Sequence, residues 1–142
     1  MADRYFPDFM PSPGVSRESL PWWEAAREKR LVVQHCNACG ADRHPPAPCC
    51  RKCGSHDQAV RDTAGTGVIY TYTVVHQKFI PGMPEPYVVA SIELDGTGGL
   101  RIVSNIVDVD PAEVKIGMPV EVLFEEMSDE LTVPRFRPRT TG

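Results

Sequence analysis

The 142-residue sequence contains no run of eighteen apolar residues, so no membrane-spanning helix is expected. Its start, Met-Ala-Asp-Arg-Tyr-Phe, has neither the basic opening nor the apolar stretch of a secretory signal, and a cytoplasmic protein is expected. A basic surplus is missing too. Fifteen Lys and Arg against nineteen Asp and Glu leave a net charge of −4, which argues against a dedicated nucleic-acid binder. There is no G-x-S-x-G elbow, no phosphate-cradling glycine-rich loop and no paired-carboxylate motif, so no catalytic residue is assigned. Internal repeats and low-complexity runs are absent as well. What remains is 42% hydrophobic and 24% charged, ordinary for a globular fold that buries a core. Fourteen prolines and eleven glycines predict many turns and a β-rich fold.

The densest chemistry lies between Cys36 and Cys53. Cys36-Asn-Ala-Cys39-Gly40, a ten-residue spacer and Cys50-Arg-Lys-Cys53-Gly54 form two C-x-x-C-G knuckles. Each knuckle turns tightly enough to aim two sulfurs at one ion, and the glycine takes the backbone through positive φ. Cys36, Cys39, Cys50 and Cys53 are therefore the candidate ligands of a structural zinc, with iron in a rubredoxin-like site as the alternative. Free or disulfide-bonded thiols are the non-metal reading. Cys49 is an extra thiol, since pairing it with Cys53 would open a three-residue gap. His35, His44 and His56 are expected to be neighbours of the metal and not ligands. Four thiolates leave no open position for a reactive water, so the site is structural.

Around this centre the chain divides into an extended arm over 1–19, a helix plus ribbon over 20–62, a barrel over 63–138 and a short tail over 139–142. Pro7, Pro11 and Pro13 break any period in the arm. Its Tyr5, Phe6, Phe9 and Met10 are too apolar for a solvated tail, so they lie against their own domain or a partner. A helix is expected from Leu20 to Arg30, with Pro21 in its first turn. Adjacent Trp22 and Trp23 cannot share one helix face. Leu31–His35 and Gln58–Asp62 read as ribbon strands. The spacer between the knuckles, with Pro45, Pro46 and Pro48, is expected to be stiff and unable to join a central ladder. Strands are expected over 68–76, 87–94, 100–107, 120–125 and 131–136, the last confined to an edge or a strand end by Pro134. Asp110-Pro111 predicts one capped helical turn between the third and fourth of these. Five short strands with that turn fit an OB barrel.

The Pro-Trp-Trp-Glu helix, Leu31-Val-Val-Gln-His-Cys36, the paired knuckles, Gly65-Thr-Gly-Val-Ile-Tyr-Thr-Tyr-Thr-Val-Val-His76 and Pro134-Arg-Phe-Arg-Pro138 together resemble a known family. It is that of the zinc-ribbon plus OB-fold proteins grouped as domain of unknown function 35, often encoded beside thiolases and other acyl-CoA enzymes. The resemblance covers about residues 20–138, with Cys49 as a departure. It implies a non-catalytic scaffold that docks on a thiolase-fold protein (a thiolase or lipid-transfer-protein-like aldolase) or on a hydratase, and helps it hold an acyl-CoA in lipid, steroid or related metabolism.

For such a ligand, Arg43, Arg51, Lys52, Lys78, Arg135 and Arg137 are candidate phosphate contacts. Phe79, beside Ile80, Met83 and Tyr87 at the proline-rich loop, is a candidate contact for the acyl or pantetheine chain. His76, at a strand end, is read as a satisfied histidine. The other function class left open is a single-stranded nucleic-acid binder, because OB barrels and zinc ribbons both serve that role.

Overall fold

The computed structural model describes residues 5–7, 13–79 and 81–140. It is mainly β, with one N-terminal helix, a cysteine-bearing ribbon and a closed five-stranded barrel.

The helix α1, Leu20–Arg27, carries Pro21 in its first turn and buries Trp22, Ala25 and Ala26. It stops three residues short of the expected Arg30. Lys29 takes a left-handed conformation (φ 61°), and the Arg30 N–H turns back to cap the Ala25 carbonyl at 2.9 Å. That turn delivers Leu31 to the core and starts β1, Val32–Cys36.

Three strands make the ribbon sheet, in the order β2-β1-β3. β3, Gln58–Asp62, runs antiparallel to β1 from Val32↔Asp62 to Cys36↔Gln58. β2 is the two-residue strand Asp42–Arg43, which the proline-rich spacer was not expected to supply. Gln34↔Arg43 and His35↔Asp42 pair just ahead of the prolines, and the chain then leaves the sheet at the cis bond His44–Pro45. The prolines end the ladder; they do not prevent it.

The barrel strands are β4 Thr66–Val75, β5 Tyr87–Leu94, β6 Arg101–Ile106, β7 Pro119–Glu126 and β8 Thr132–Pro138. They close in the order β4-β5-β6-β8-β7, with β7 returning to β4. A 3-10 turn, Pro111–Glu113, joins β6 to β7, and Asp110 caps it by accepting from the Ala112 N–H at 2.9 Å. This is the OB arrangement, in which the third and fifth strands meet in parallel.

That parallel seam explains Pro134, which lies inside β8 and not at a strand end. β6 and β8 pair only at Ile106↔Phe136, so the chain around Pro134 needs no ladder partner on that side. The Ser104 hydroxyl instead donates to the Pro134 carbonyl at 2.8 Å. Gly67 marks a close approach elsewhere in the barrel. A Cβ there would collide with the Glu93 carbonyl oxygen and stand 2.9 Å from Ile92 Cγ2, so only glycine lets β4 lie against β5.

One apolar core runs through both parts. Trp22, Ala25, Leu31, Val32 and Val33 from the helix and ribbon join Ile69, Ile92, Val120 and Phe136 of the barrel. A second cluster covers one end of the barrel and uses the arm. Phe6 is buried with Met83, Val107 and Met127, edge-on to Tyr87 at 6.0 Å. Its N–H donates to the buried Glu125 carboxylate at 3.2 Å. At residue 6, then, the apolar arm lies on the chain's own barrel. Phe9 and Met10 fall outside the described residues.

Candidate metal centre and its surroundings

The two knuckles repeat one hydrogen-bond pattern. In the first, Gly40 N–H donates to the Cys36 carbonyl and Cys36 N–H to the Ala41 carbonyl, each at 2.8 Å. In the second, Gly54 N–H donates to Cys50 at 2.8 Å and Cys50 N–H to Ser55 at 2.9 Å. Both glycines sit at φ 77°, with open space where a side chain would go, so backbone conformation and not crowding selects them.

This repetition gathers the four sulfurs of Cys36, Cys39, Cys50 and Cys53 to within 4.8 Å of one another. The Cys36–Cys53 and Cys39–Cys50 separations are both 3.6 Å. Sulfurs placed tetrahedrally about 2.3 Å from one ion lie about 3.8 Å apart, close to these two separations, so the set suits a four-thiolate centre. Cys36 and Cys50 are buried, whereas Cys39 and Cys53 face solvent.

The electrostatics describe the same fit. The Cys39 N–H, with further bonds from Gln58 and Ala38, outweighs desolvation and holds the Cys36 thiol down to about 6. At Cys50 the Cys53 N–H similarly lowers the thiol. At Cys53 the Ser55 N–H favours the thiolate, but desolvation and the three neighbouring sulfurs win and push it up to about 11. Four crowded sulfurs cannot all ionise comfortably unless a cation sits among them.

None of the three expected neighbour histidines belongs to the sulfur cluster. His35 Nδ1 lies 2.7 Å from Asp42 Oδ1, and Asp42 Oδ2 accepts from Arg61 Nη2 at 2.7 Å. Burial alone would raise the Asp42 carboxyl, but these two partners hold it below the ordinary carboxylate value. Arg61 also reaches the Gly96 carbonyl at 3.3 Å, which ties the ribbon to the β5–β6 turn. His44 packs against Trp22, with ring centroids 5.7 Å apart.

A residue that the sequence did not single out, Gln34, holds the spacer in place. Its amide donates to the Ala47 carbonyl and accepts from the Ala47 N–H, both at 2.9 Å. Arg43 Nη1 donates to Gln34 Oε1 and to Gln58 Oε1, each at 2.7 Å. The available signal was a polar residue in the otherwise apolar stretch Leu31-Val-Val-Gln34.

The seven residues named for CoA or partner contact are not gathered in one place. Arg43 is engaged inside the ribbon, while Arg51 and Lys52 stand exposed on the second knuckle. Lys78 pairs with Glu85 at 3.5 Å in the 76–86 loop, where Phe79 is 69% exposed. Arg135 is withdrawn into the barrel end. It lies 3.6 Å from Glu125 and 4.3 Å over the Phe6 ring, and Nη1 donates to Asn105 at 2.6 Å. Arg137 pairs with Glu121 at 3.4 Å on the surface. Met83 and Tyr87, offered for an acyl chain, pack instead around Phe6. Ile80 lies outside the described residues. His76 is exposed just past β4.

Comparison with known proteins places this architecture. Residues 23–57 match the family described as the ChsH2 rubredoxin-like zinc ribbon domain, and residues 60–125 the ChsH2 C-terminal OB-fold domain. A DUF35 domain-containing scaffold protein of Methanocaldococcus jannaschii is 36% identical over 113 residues, spanning 76% of this chain and 77% of its own. The chain belongs to the DUF35 family of zinc-ribbon plus OB-fold proteins.

A chain of the solved Ltp2-ChsH2(DUF35) aldolase is 47% identical, with a TM-score of 0.83 over 89% of this chain and 98% of that one. A probable enoyl-CoA hydratase alpha subunit of Thermomonospora curvata is 48% identical over 90% of this chain. The chain spans 40% of that subunit's length, and 39% of a Mycobacterium tuberculosis 3-oxo-4,17-pregnadiene-20-carboxyl-CoA hydratase alpha subunit, to which it is 32% identical. A DUF35 structure from Sulfolobus solfataricus, 15% identical with a TM-score of 0.61, shares the fold.

Proposed function

We propose that this chain is a non-catalytic subunit that docks on a thiolase-fold aldolase or thiolase, or on a hydratase, and helps it hold an acyl-CoA in lipid, steroid or related acyl-CoA metabolism. The observation that carries this reading is the near-complete match to a chain of the Ltp2-ChsH2(DUF35) aldolase. The scaffold names of the archaeal relatives and the hydratase names of the longer ones point the same way.

Cys36, Cys39, Cys50 and Cys53 would hold a zinc ion. Bound there, zinc supplies a cross-link between the knuckles, and four thiolates leave it no position for substrate. For the CoA phosphates, Arg51, Lys52, Lys78 and Arg137 offer surface charge and Phe79 an apolar contact. Arg43 and Arg135, already held by neighbours, would shape the surface behind them. Reduced thiols packed for a metal suit a cytoplasmic setting.

The test is co-purification of the native protein from its host. A thiolase-like, aldolase or hydratase subunit in stoichiometric amount is expected, with one zinc per chain and no visible iron colour. Recovery of the chain alone, with no affinity for acyl-CoA, would count against the reading. The nucleic-acid alternative predicts binding of single strands that weakens steeply with salt. Of the two aromatics that would serve as stacking platforms, Tyr70 and Tyr72, the first has Arg101 seated 3.6 Å over its ring and the second is partly buried against the core.

A further inference from the structure

At one end of the barrel three connections meet: the 76–86 loop, residues 107 and 108 after β6, and the 127–131 turn. The first and last join barrel strands one to two and four to five. An OB barrel takes ligands at that pair of loops and on the neighbouring face. Here the place is filled. Phe6, 5% exposed, lies among Met83, Val107 and Met127. Its ring stands edge-on to Tyr87, with the Arg135 guanidinium 4.3 Å over it.

The seat is polar as well as apolar. Glu125, only 2% exposed, accepts the Phe6 N–H at 3.2 Å through Oε1, and its Oε2 lies 3.6 Å from Arg135. The Tyr5 hydroxyl donates to Asp108, 2.7 Å from both carboxylate oxygens. Asp108 presents that carboxylate from a left-handed conformation, φ 58°, which Asp tolerates better than most residues. A carboxylate and a guanidinium buried together carry a desolvation cost and make a poor filling for a core. They are good recognition groups for a peptide N–H and an aromatic face.

The arm is attached as a ligand would be. Among its described residues none joins a strand, and the five barrel strands close on one another without it. Phe6 is buried, whereas Tyr5 and Pro7 keep partial contact with solvent. When Phe6 leaves, water reaches Glu125 and Arg135, so the empty seat strands no bare charge.

We infer that this end of the barrel is a binding site for an extended peptide bearing an aromatic side chain, and that its resident occupant is the chain's own arm, seated exchangeably. The inference uses neither the docking nor the acyl-CoA element of the proposed function.

The test uses the full-length chain carrying Phe6→Ala, which vacates the seat, and a synthetic peptide of residues 1–12 labelled at its C-terminus. Fluorescence anisotropy should show saturable binding, at least tenfold tighter than to the wild-type chain, whose own arm competes. The peptide carrying Tyr5→Phe should bind three- to tenfold more weakly, for loss of one hydrogen bond. The peptide carrying Phe6→Ala should show no binding. Both changes lie in the peptide, so the fold of the receptor is not at issue. Melting of the Phe6→Ala chain should stay cooperative.

A Phe6→Ala chain that does not melt cooperatively overturns the inference, because Phe6 is then core and not ligand. So does a folded Phe6→Ala chain that leaves the native peptide unbound, or that binds it no more tightly than the wild type does. Equal affinity for the native and Phe6→Ala peptides overturns it as well. A wild-type dimer in sedimentation that Phe6→Ala dissolves assigns the seat to a second copy's arm and removes the occupancy by the chain's own.

Discussion

The ribbon and the barrel solve the same problem, keeping a small β-structure closed, by different means. The barrel has five strands, each paired on both sides, around Ile69, Ile92, Val120 and Phe136. Its stability comes from apolar burial and a ladder without free edges. The ribbon has three short strands, and its far end beyond Gln34 contributes no apolar residue to the shared core besides Val60. There the chain is held by side-chain amides, by the Asp42–Arg61 and His35 contacts, and by four sulfurs gathered for a metal. A segment too small for a core of its own is fastened by polar geometry and coordination.

That contrast can be broken at its strongest point first. Cys36→Ser should abolish metal binding and unfold the far ribbon, a loss on the order of 10 kcal/mol of coordination energy. Metal analysis and hydrogen exchange check it. Amides of residues 36–62 should exchange freely while those of β5 and β6 stay protected, and equal loss in both regions would show that the two parts fold as one unit.

The converse change is Phe136→Ala, which empties a fully buried position of the barrel. It should cost about 3–5 kcal/mol in chemical denaturation while the metal content per folded chain stays unchanged. Gly67→Ala, also in the barrel, should cost about 2–3 kcal/mol, because the added methyl meets the β5 backbone and not a movable side chain.

The ribbon's polar fastening carries the smallest effect. Asp42→Asn should destabilise by about 1 kcal/mol near neutral pH. The folded pKa of Asp42 lies below its unfolded value near 3.9, so its contribution is present above that pH and lost as pH falls through the folded pKa. Melting temperatures of the wild type and Asp42→Asn should therefore converge in acid. A constant difference down to the lowest pH would assign the cost to shape and not to charge.

Much of this structure was legible in the residues. Paired knuckles of equal spacing predict a cluster of four sulfurs because a tight turn places positions i and i+3 together. Alternating β-branched residues predict the barrel strands to within two residues at nearly every end, since burial of every second side chain is a local demand. The errors fell where a distant partner set the outcome. α1 ends at Arg27 because Leu31 is drawn into the core. β2 exists because β1 offers an edge just before the prolines. Pro134 is tolerated inside β8 because the facing stretch of β6 makes no ladder there.

By itself, then, the sequence determined which segments are strands, which four cysteines can share an ion, and the family to which such a combination belongs. Those are short-range properties, written in period, turn chemistry and spacing. Only the tertiary structure decided that Phe6 folds back onto Glu125 and Arg135 and that Gln34 pins the spacer. Each of these depends on groups far apart in the chain, brought together by the closure of the barrel and by a core shared across the two parts.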